Sequence, residues 1–195
     1  VPPPPPEEAS LPVSVDFDNG EANAFQTRAG HWTVSGGLFH GTPAGDAVTT
    51  LNITAALPAD REIQALVNMD AASGGLYSNG VIVFDYQDPT DFKFAGAYAG
   101  SNKWVIGQRT TTGWLTANTL VDTVNGGADY EYQVVIEDDS TVTLNVDGVQ
   151  KVSHTFADVV TDGAVGLGTY KAIAHYDNVL VQPYVAPAPP PAAQL

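Results

Sequence analysis

Short runs of β-branched and aromatic residues follow one another along this chain, and no segment repeats its apolar residues at the helical spacing. The runs are VSVDF from Val13, HWTVSGGLFHG from His31, AVTTLNI from Ala47, EIQALVNM from Glu62, VIVFDY from Val81 and FKFAGAYAG from Phe92. KWVIGQRT, YEYQVVIED, STVTLNVDG, VQKVSHTF, AVGLGTY and IAHYDNVLVQ continue the series. Turn chemistry separates them: Asp18-Asn19-Gly20, Asn79-Gly80, Gln87 to Asp91, Gly126-Gly127, Asp138-Asp139-Ser140 and Asp147-Gly148. Gly, Asn and Asp tolerate positive φ, and Asn and Asp side chains bond the backbone of a turn. Thr54 to Asp60 has room for one helical turn, which Pro58 cuts short.

Many short strands with tight turns and no intervening helices imply an all-β fold. Two antiparallel sheets packed face to face, a sandwich or jelly roll, are expected. The firmest local expectation is a hairpin from Tyr130 to Val149. Val134 and Ile136 on one arm and Val142, Leu144 and Val146 on the other give each an apolar face.

Of the 14 prolines, six fall in Val1 to Pro12 and five in Pro183 to Pro191. Consecutive prolines favour extended, stiff backbone. Residues 1–12 and 185–195 are therefore expected to be linkers around a domain at 13–184, with flanking domains of the same longer chain beyond them. A domain of this size needs neither disulfide nor metal to bury a core. A formal net charge of −15, with only 7 Lys and Arg, excludes nucleic acid as a natural partner and disfavours anionic membranes. No apolar stretch approaches the roughly 20 residues of a membrane-spanning helix.

The ordered pieces carry a family resemblance. Asp16-Phe17-Asp18, His31 to Leu38, Asn79 to Tyr86 and Asp91 to Phe94 come first. Trp114-Leu115-Thr116, Val146-Asp147-Gly148, Gly163 to Leu167 and Tyr176 to Val179 follow. Together they resemble the concanavalin A-like, laminin G-type domains of bacterial secreted or surface proteins. The resemblance implies a jelly roll that binds polysaccharide or cell-surface glycan, or serves in adhesion, at a secreted or cell-surface location.

The same superfamily includes glycosidases, whose carboxylate motif Glu-x-Asp-x-x-Glu has no counterpart here. Glu7, Glu8, Glu21, Glu62, Glu131 and Glu137 are scattered, and a retaining glycosidase needs two carboxyls about 5 Å apart. There is no cysteine and no Gly-x-Ser-x-Gly elbow. His31, His40, His154 and His175 lack zinc-type spacing. The chain is expected not to be an enzyme.

Sixteen of the 22 acidic residues are aspartate, a ligand suited to calcium in rigid loops. Asp16 and Asp18 flank the first turn and Asp177 lies in the last strand, so side-by-side terminal strands would bring them together. Related glycan-binding jelly rolls often carry a structural calcium between such segments. The alternative is that Asp16 and Asp18 cap a turn and Asp177 bonds a backbone amide. For Asp85, Asp88 and Asp91, an ordinary hairpin loop is the better account.

Sugars stack their C–H faces on aromatic rings while polar side chains read their hydroxyls. Tyr86, Lys93, Trp104, Arg109 and Trp114 concentrate those residue types in one stretch. Alternation is read as turning Phe92, Phe94 and Tyr98 inward and leaving Lys93, Ala95 and Ala97 on an outer, concave face. With Arg109 and Gly107 beside them they would form a shallow cationic groove for acidic glycans, while Trp32 is expected in the core. Three functions stay open: a calcium-stabilised glycan-binding or adhesive module, a structural spacer or protein-interaction module without a small ligand, and an undetected hydrolase or lyase.

Overall fold

The structure is a computed structural model that describes residues 11–42, 45–53 and 56–187. Most of both expected linkers, and the start of the Thr54 to Asp60 segment, lie outside the described residues. The strands in chain order are β1 (Val13–Val15), β2 (Phe25–Ala29), β3 (His31–Ser35), β4 (Leu38–Thr42) and β5 (Asp46–Leu51). Then come β6 (Arg61–Met69), β7 (Asn79–Asp88), β8 (Asp91–Tyr98), β9 (Lys103–Thr110) and β10 (Gly113–Val121). The last are β11 (Asp129–Glu137), β12 (Thr141–Val146), β13 (Val149–Thr155), β14 (Ala164–Tyr170) and β15 (Ala174–Pro183). A single 3-10 turn at Ala99–Ser101 is the one helical piece among the described residues.

The strands form two antiparallel sheets. The back sheet runs β13-β12-β11-β6-β15-β4-β3, with β1 added to β15, and the front sheet runs β10-β9-β8-β7-β14-β5-β2. The first and last strands do lie side by side, Val13 opposite Val181 and Val15 opposite Val179. The expected hairpin is present, with Val134 opposite Leu144 and Ile136 opposite Val142, all four buried. Asp138 and Asp139 take positive φ of 51° and 59° in its turn, the conformation that favours Asp there.

Between the sheets, Ile63, Ala65, Val67 and Met69 of β6 meet Ile82 and Phe84 of β7, Ala95 and Ala97 of β8, and Trp104 and Ile106 of β9. Each large apolar side chain so buried contributes about 1.5–3 kcal/mol. A separate apolar cluster lies on the outer face of the front sheet: Val48, Val81, Val83, Tyr86, Phe92, Phe94 and Val105. Strand β7 is therefore buried on both faces from Asn79 to Tyr86.

Two strands are absent from the sequence expectation. β10 is an edge strand whose residues from Leu115 to Val121 are all exposed, so it carries no apolar alternation. β2 likewise exposes Gln26, Thr27 and Arg28. Asn79-Gly80, expected as a turn, instead opens β7, because the Asn79 side chain bonds Thr169 and Tyr170 rather than its own backbone.

Candidate functional site

The front sheet is curled until its outer face meets itself. Asp46 of β5 stands four strands from β9 and five from β10, a separation of about 19–24 Å in a flat sheet. Yet Asp46 Oδ2 accepts a hydrogen bond from Arg109 Nε at 2.9 Å, and Oδ1 accepts one from Trp114 Nε1 at 3.0 Å. No pair of side chains spans the flat distance, so curvature supplies the contact. The Trp114 ring lies over Phe94 and Phe92, with centroids 4.7 and 5.3 Å away, and reaches Tyr170 at 6.0 Å.

Beside this closure the sheet leaves a pocket of about 450 Å³, lined by Tyr77, Tyr98, Trp114 and Tyr170 together with Ala72, Ser78, Asn79, Gly100 and Ser101. Its walls are tied by backbone bonds, Tyr77 N–H to Lys171 C=O at 2.7 Å and Gly100 N–H to Ser78 C=O at 3.2 Å. Asn79 braces Tyr170. Its Nδ2 donates to the Tyr170 carbonyl, and its Oδ1 accepts from the Thr169 hydroxyl and the Tyr170 N–H. Burial pushes the Tyr98 phenol far above its ordinary pKa, so it is a neutral O–H group. Among the described residues, no charged side chain lines the pocket. The Lys171 ammonium lies 5.4 Å from the centroid of the Tyr170 ring, and Asp46 is engaged by Arg109 and Trp114. Rings with neutral hydroxyls suit a ligand that has apolar C–H faces and uncharged polar groups.

By sequence, the chain matches no protein-family model and no curated protein. By structure, it is similar to the carbohydrate binding module CBM66 from Bacillus subtilis, with a TM-score of 0.71 at 15% identity, over 82% of this chain and 95% of that one. The carbohydrate recognition domain of Emp47p gives a TM-score of 0.65 at 11% identity, over 90% and 97% of the two chains. The xylan beta-1,4-xylosidase from Bacillus halodurans C-125 gives 0.66 at 14% identity, over 93% of this chain and 41% of that one. The fold is a concanavalin A-like jelly roll.

Within this jelly roll the sequence-derived ligand residues are dispersed. Trp114 alone among them lines the pocket. Tyr86 is 8% exposed, stacked on Phe92 with the Arg28 guanidinium 5.5 Å from its ring centroid, and belongs to the outer apolar cluster. Trp104 is 1% exposed in the core between the sheets, where Tyr130 and Tyr132 pack edge-on against it. Trp32 packs against the same core on Phe39 and Tyr176, as expected.

The expected cationic groove is corrected. Lys93 shares its parity with Ala95 and Ala97, which face the core between the sheets, whereas Phe92, Phe94 and Tyr98 face outward. Arg109, opposite Phe92 in register, is on the outer face, so the two cations stand on opposite sides of one sheet. Lys93 Nζ is 2.8 Å from Asp85, and Arg109 is spent on Asp46. Gly107 leaves no ligand space either, since a Cβ there would come within 2.6 Å of the Phe94 ring. Bulk misled the assignment: large rings normally mark the inner face, but the curled sheet supplies a second interior. Tyr77, Tyr98, Tyr170, Asn79 and Asp46 were missed as site residues. The shared parity of Tyr98 with Phe94 was a usable signal; nothing local marked the others.

The structure does not bring Asp16, Asp18 and Asp177 together. Asp16 accepts the Asp18 N–H at 3.2 Å in the first turn. Asp177 accepts the Asn178 N–H at 2.7 Å and borders a different hollow, with His175, Asn68 and Asp129. Among the described residues no three of His, Asp and Glu converge to hold a metal, so these aspartates do not fit a shared calcium site. Asp88 accepts the Thr90 N–H and hydroxyl at 2.6 and 2.9 Å, the hairpin-loop role. Asp85 has a different function. It is 3% exposed, and burial raises its pKa against the opposing pull of Lys93. Arg61 nearby is fully buried, donating to the Val160 and Thr161 carbonyls at 3.0 Å each.

Proposed function

We propose that this jelly roll is a non-catalytic carbohydrate-binding module of an extracellular multidomain protein, and that its pocket takes a neutral sugar. The observation that carries the reading is the uncharged aromatic pocket between Trp114, Tyr98, Tyr77 and Tyr170. A pyranose has C–H faces that stack on such rings, and hydroxyls that exchange hydrogen bonds with tyrosine hydroxyls. A volume of about 450 Å³ falls in the range of small-ligand sites and suits a monosaccharide or a short chain end. A uronate or sulfated sugar would lose hydration there with no cation in the pocket lining to pair with, on a protein already strongly acidic. The likeness to a carbohydrate binding module and a carbohydrate recognition domain supports the reading. The proline-rich segments, which read as stiff spacers, support the multidomain setting.

The test is a glycan array of neutral and acidic oligosaccharides, followed by calorimetry on any hit. Neutral glycans are expected to bind. Trp114→Ala and Tyr77→Ala each weaken the hit at least tenfold, about 1.4 kcal/mol. Tyr77 is 52% exposed, so its variant keeps the fold. Binding of acidic glycans alone would overturn the choice of sugar, and binding unaffected by both variants would overturn the pocket.

A further inference from the structure

On the outer face of the back sheet, His40 of β4 stands directly opposite His175 of β15. Their Nδ1 atoms are 2.6 Å apart, with the rings edge to face at 77°. The outer nitrogens fix the proton positions. His175 Nε2 lies 2.9 Å from Asp70 Oδ1, and an ionised carboxylate only accepts, so Nε2 carries the proton and Nδ1 presents a lone pair. His40 Nε2 meets two groups of one residue, the Ser35 hydroxyl at 3.0 Å and the Ser35 carbonyl at 2.9 Å. One is a donor and the other only an acceptor, so Ser35 satisfies either tautomer of His40. With its proton on Nδ1, His40 donates to His175 and accepts the hydroxyl. With its proton on Nε2, it donates to the carbonyl, and two lone pairs face each other across the gap.

We propose that this second arrangement binds a late first-row divalent cation, of the zinc, copper and nickel class, between the two Nδ1 atoms. Imidazole nitrogen suits those ions. Metal-bound histidines characteristically donate the other ring N–H to a carboxylate or a backbone carbonyl, the positions that Asp70 and the Ser35 carbonyl occupy here. Metal–nitrogen bonds of about 2.0–2.1 Å hold two ligand nitrogens about 2.9 Å apart at a right angle and about 3.3 Å apart at a tetrahedral angle, so the two rings part by roughly 0.3–0.7 Å. The His40 proton moves to Nε2 as the cation enters, and no hydrogen bond at that nitrogen is lost. The pair supplies two protein ligands and solvent completes the shell. Asp129 and Asp177 border the adjoining hollow with His175, so the local potential favours a cation.

The experiment is calorimetric titration of the tag-free full chain with zinc and with nickel chloride, and electron paramagnetic resonance of the copper-loaded protein. Saturable one-to-one binding is expected, with copper hyperfine structure from two imidazole nitrogens. His40→Ala and His175→Ala each abolish it, Asp70→Asn weakens it about tenfold or more, and His154→Ala leaves it unchanged. Circular dichroism establishes that each variant is folded. Absence of saturable binding by the folded wild-type chain, or binding that survives His40→Ala, would overturn the proposal.

Discussion

Asp46 and Arg109 meet at 2.9 Å although four strand positions separate them in the same sheet. Their ion pair, with the Trp114 indole on the second carboxylate oxygen, holds the curl of the front sheet and one wall of the pocket. Asp46→Ala frees both partners. The expected result is a loss of about 1 kcal/mol, since the pair is partly exposed and screened by solvent. A red shift of tryptophan emission should accompany it as Trp114 becomes wetter. Urea denaturation and a fluorescence spectrum check both, and an unshifted spectrum would contradict the role of Asp46 in seating the ring.

Arg61 is the buried counterpart of that surface closure. Burial lowers its pKa to about 10, against the opposing fields of Asp85, Asp139 and Asp162. Removing the guanidinium leaves the Val160 and Thr161 carbonyls without their donor and Asp85 with Lys93 as its remaining cation. Arg61→Ala is expected to cost about 3 kcal/mol, from two carbonyls left without their donor and the cavity left by the buried side chain. Arg61→Met, which refills the volume, recovers part of it. Equal midpoints for both variants and the wild type in urea would refute this.

Asp122 sets a pH dependence on the opposite edge. Lys151 at 2.8 Å, the Thr123 N–H and the Trp104 indole hold its carboxyl below the ordinary value, in that order of effect. A carboxyl lowered in the folded state stabilises above its unfolded pKa of about 4, and loses that contribution as pH falls through the lowered value. Asp122→Asn should therefore melt below the wild type at pH 7, and the two curves should converge in strong acid. A constant difference across pH would show that the charge is not the cause.

Calcium offers a fourth check. The Asp16 carboxylate accepts the Asp18 N–H in the first turn, and Asp177 accepts the Asn178 N–H and borders another hollow. Melting temperatures in calcium and in chelator are expected to coincide. A rise of several degrees with calcium, removed by Asp16→Asn, would restore the shared site.

Strand alternation and turn residues were enough to read two antiparallel sheets, most strands and the 130–149 hairpin. Each of these is announced by patterning and turn residues within a single segment. The site was less legible. β8 is apolar on both sides, with Phe92, Phe94 and Tyr98 on one and Ala95 and Ala97 on the other. Alternation assigns residues to faces but does not say which face is inside. β10, exposed along most of its length, gave no alternation at all, and it carries Trp114.

The sequence by itself determined the all-β class and most of the turns between the strands, because period-2 patterning and positive-φ residues act locally. Only the tertiary structure decided where the site lies. The curl of the front sheet brings Asp46, Arg109, Trp114 and Tyr170 together from distant strands, and the pairing of β4 with β15 sets His40 against His175. Such contacts depend on sheet curvature and strand order, which are properties of the whole packed chain and leave no periodic trace in any one segment.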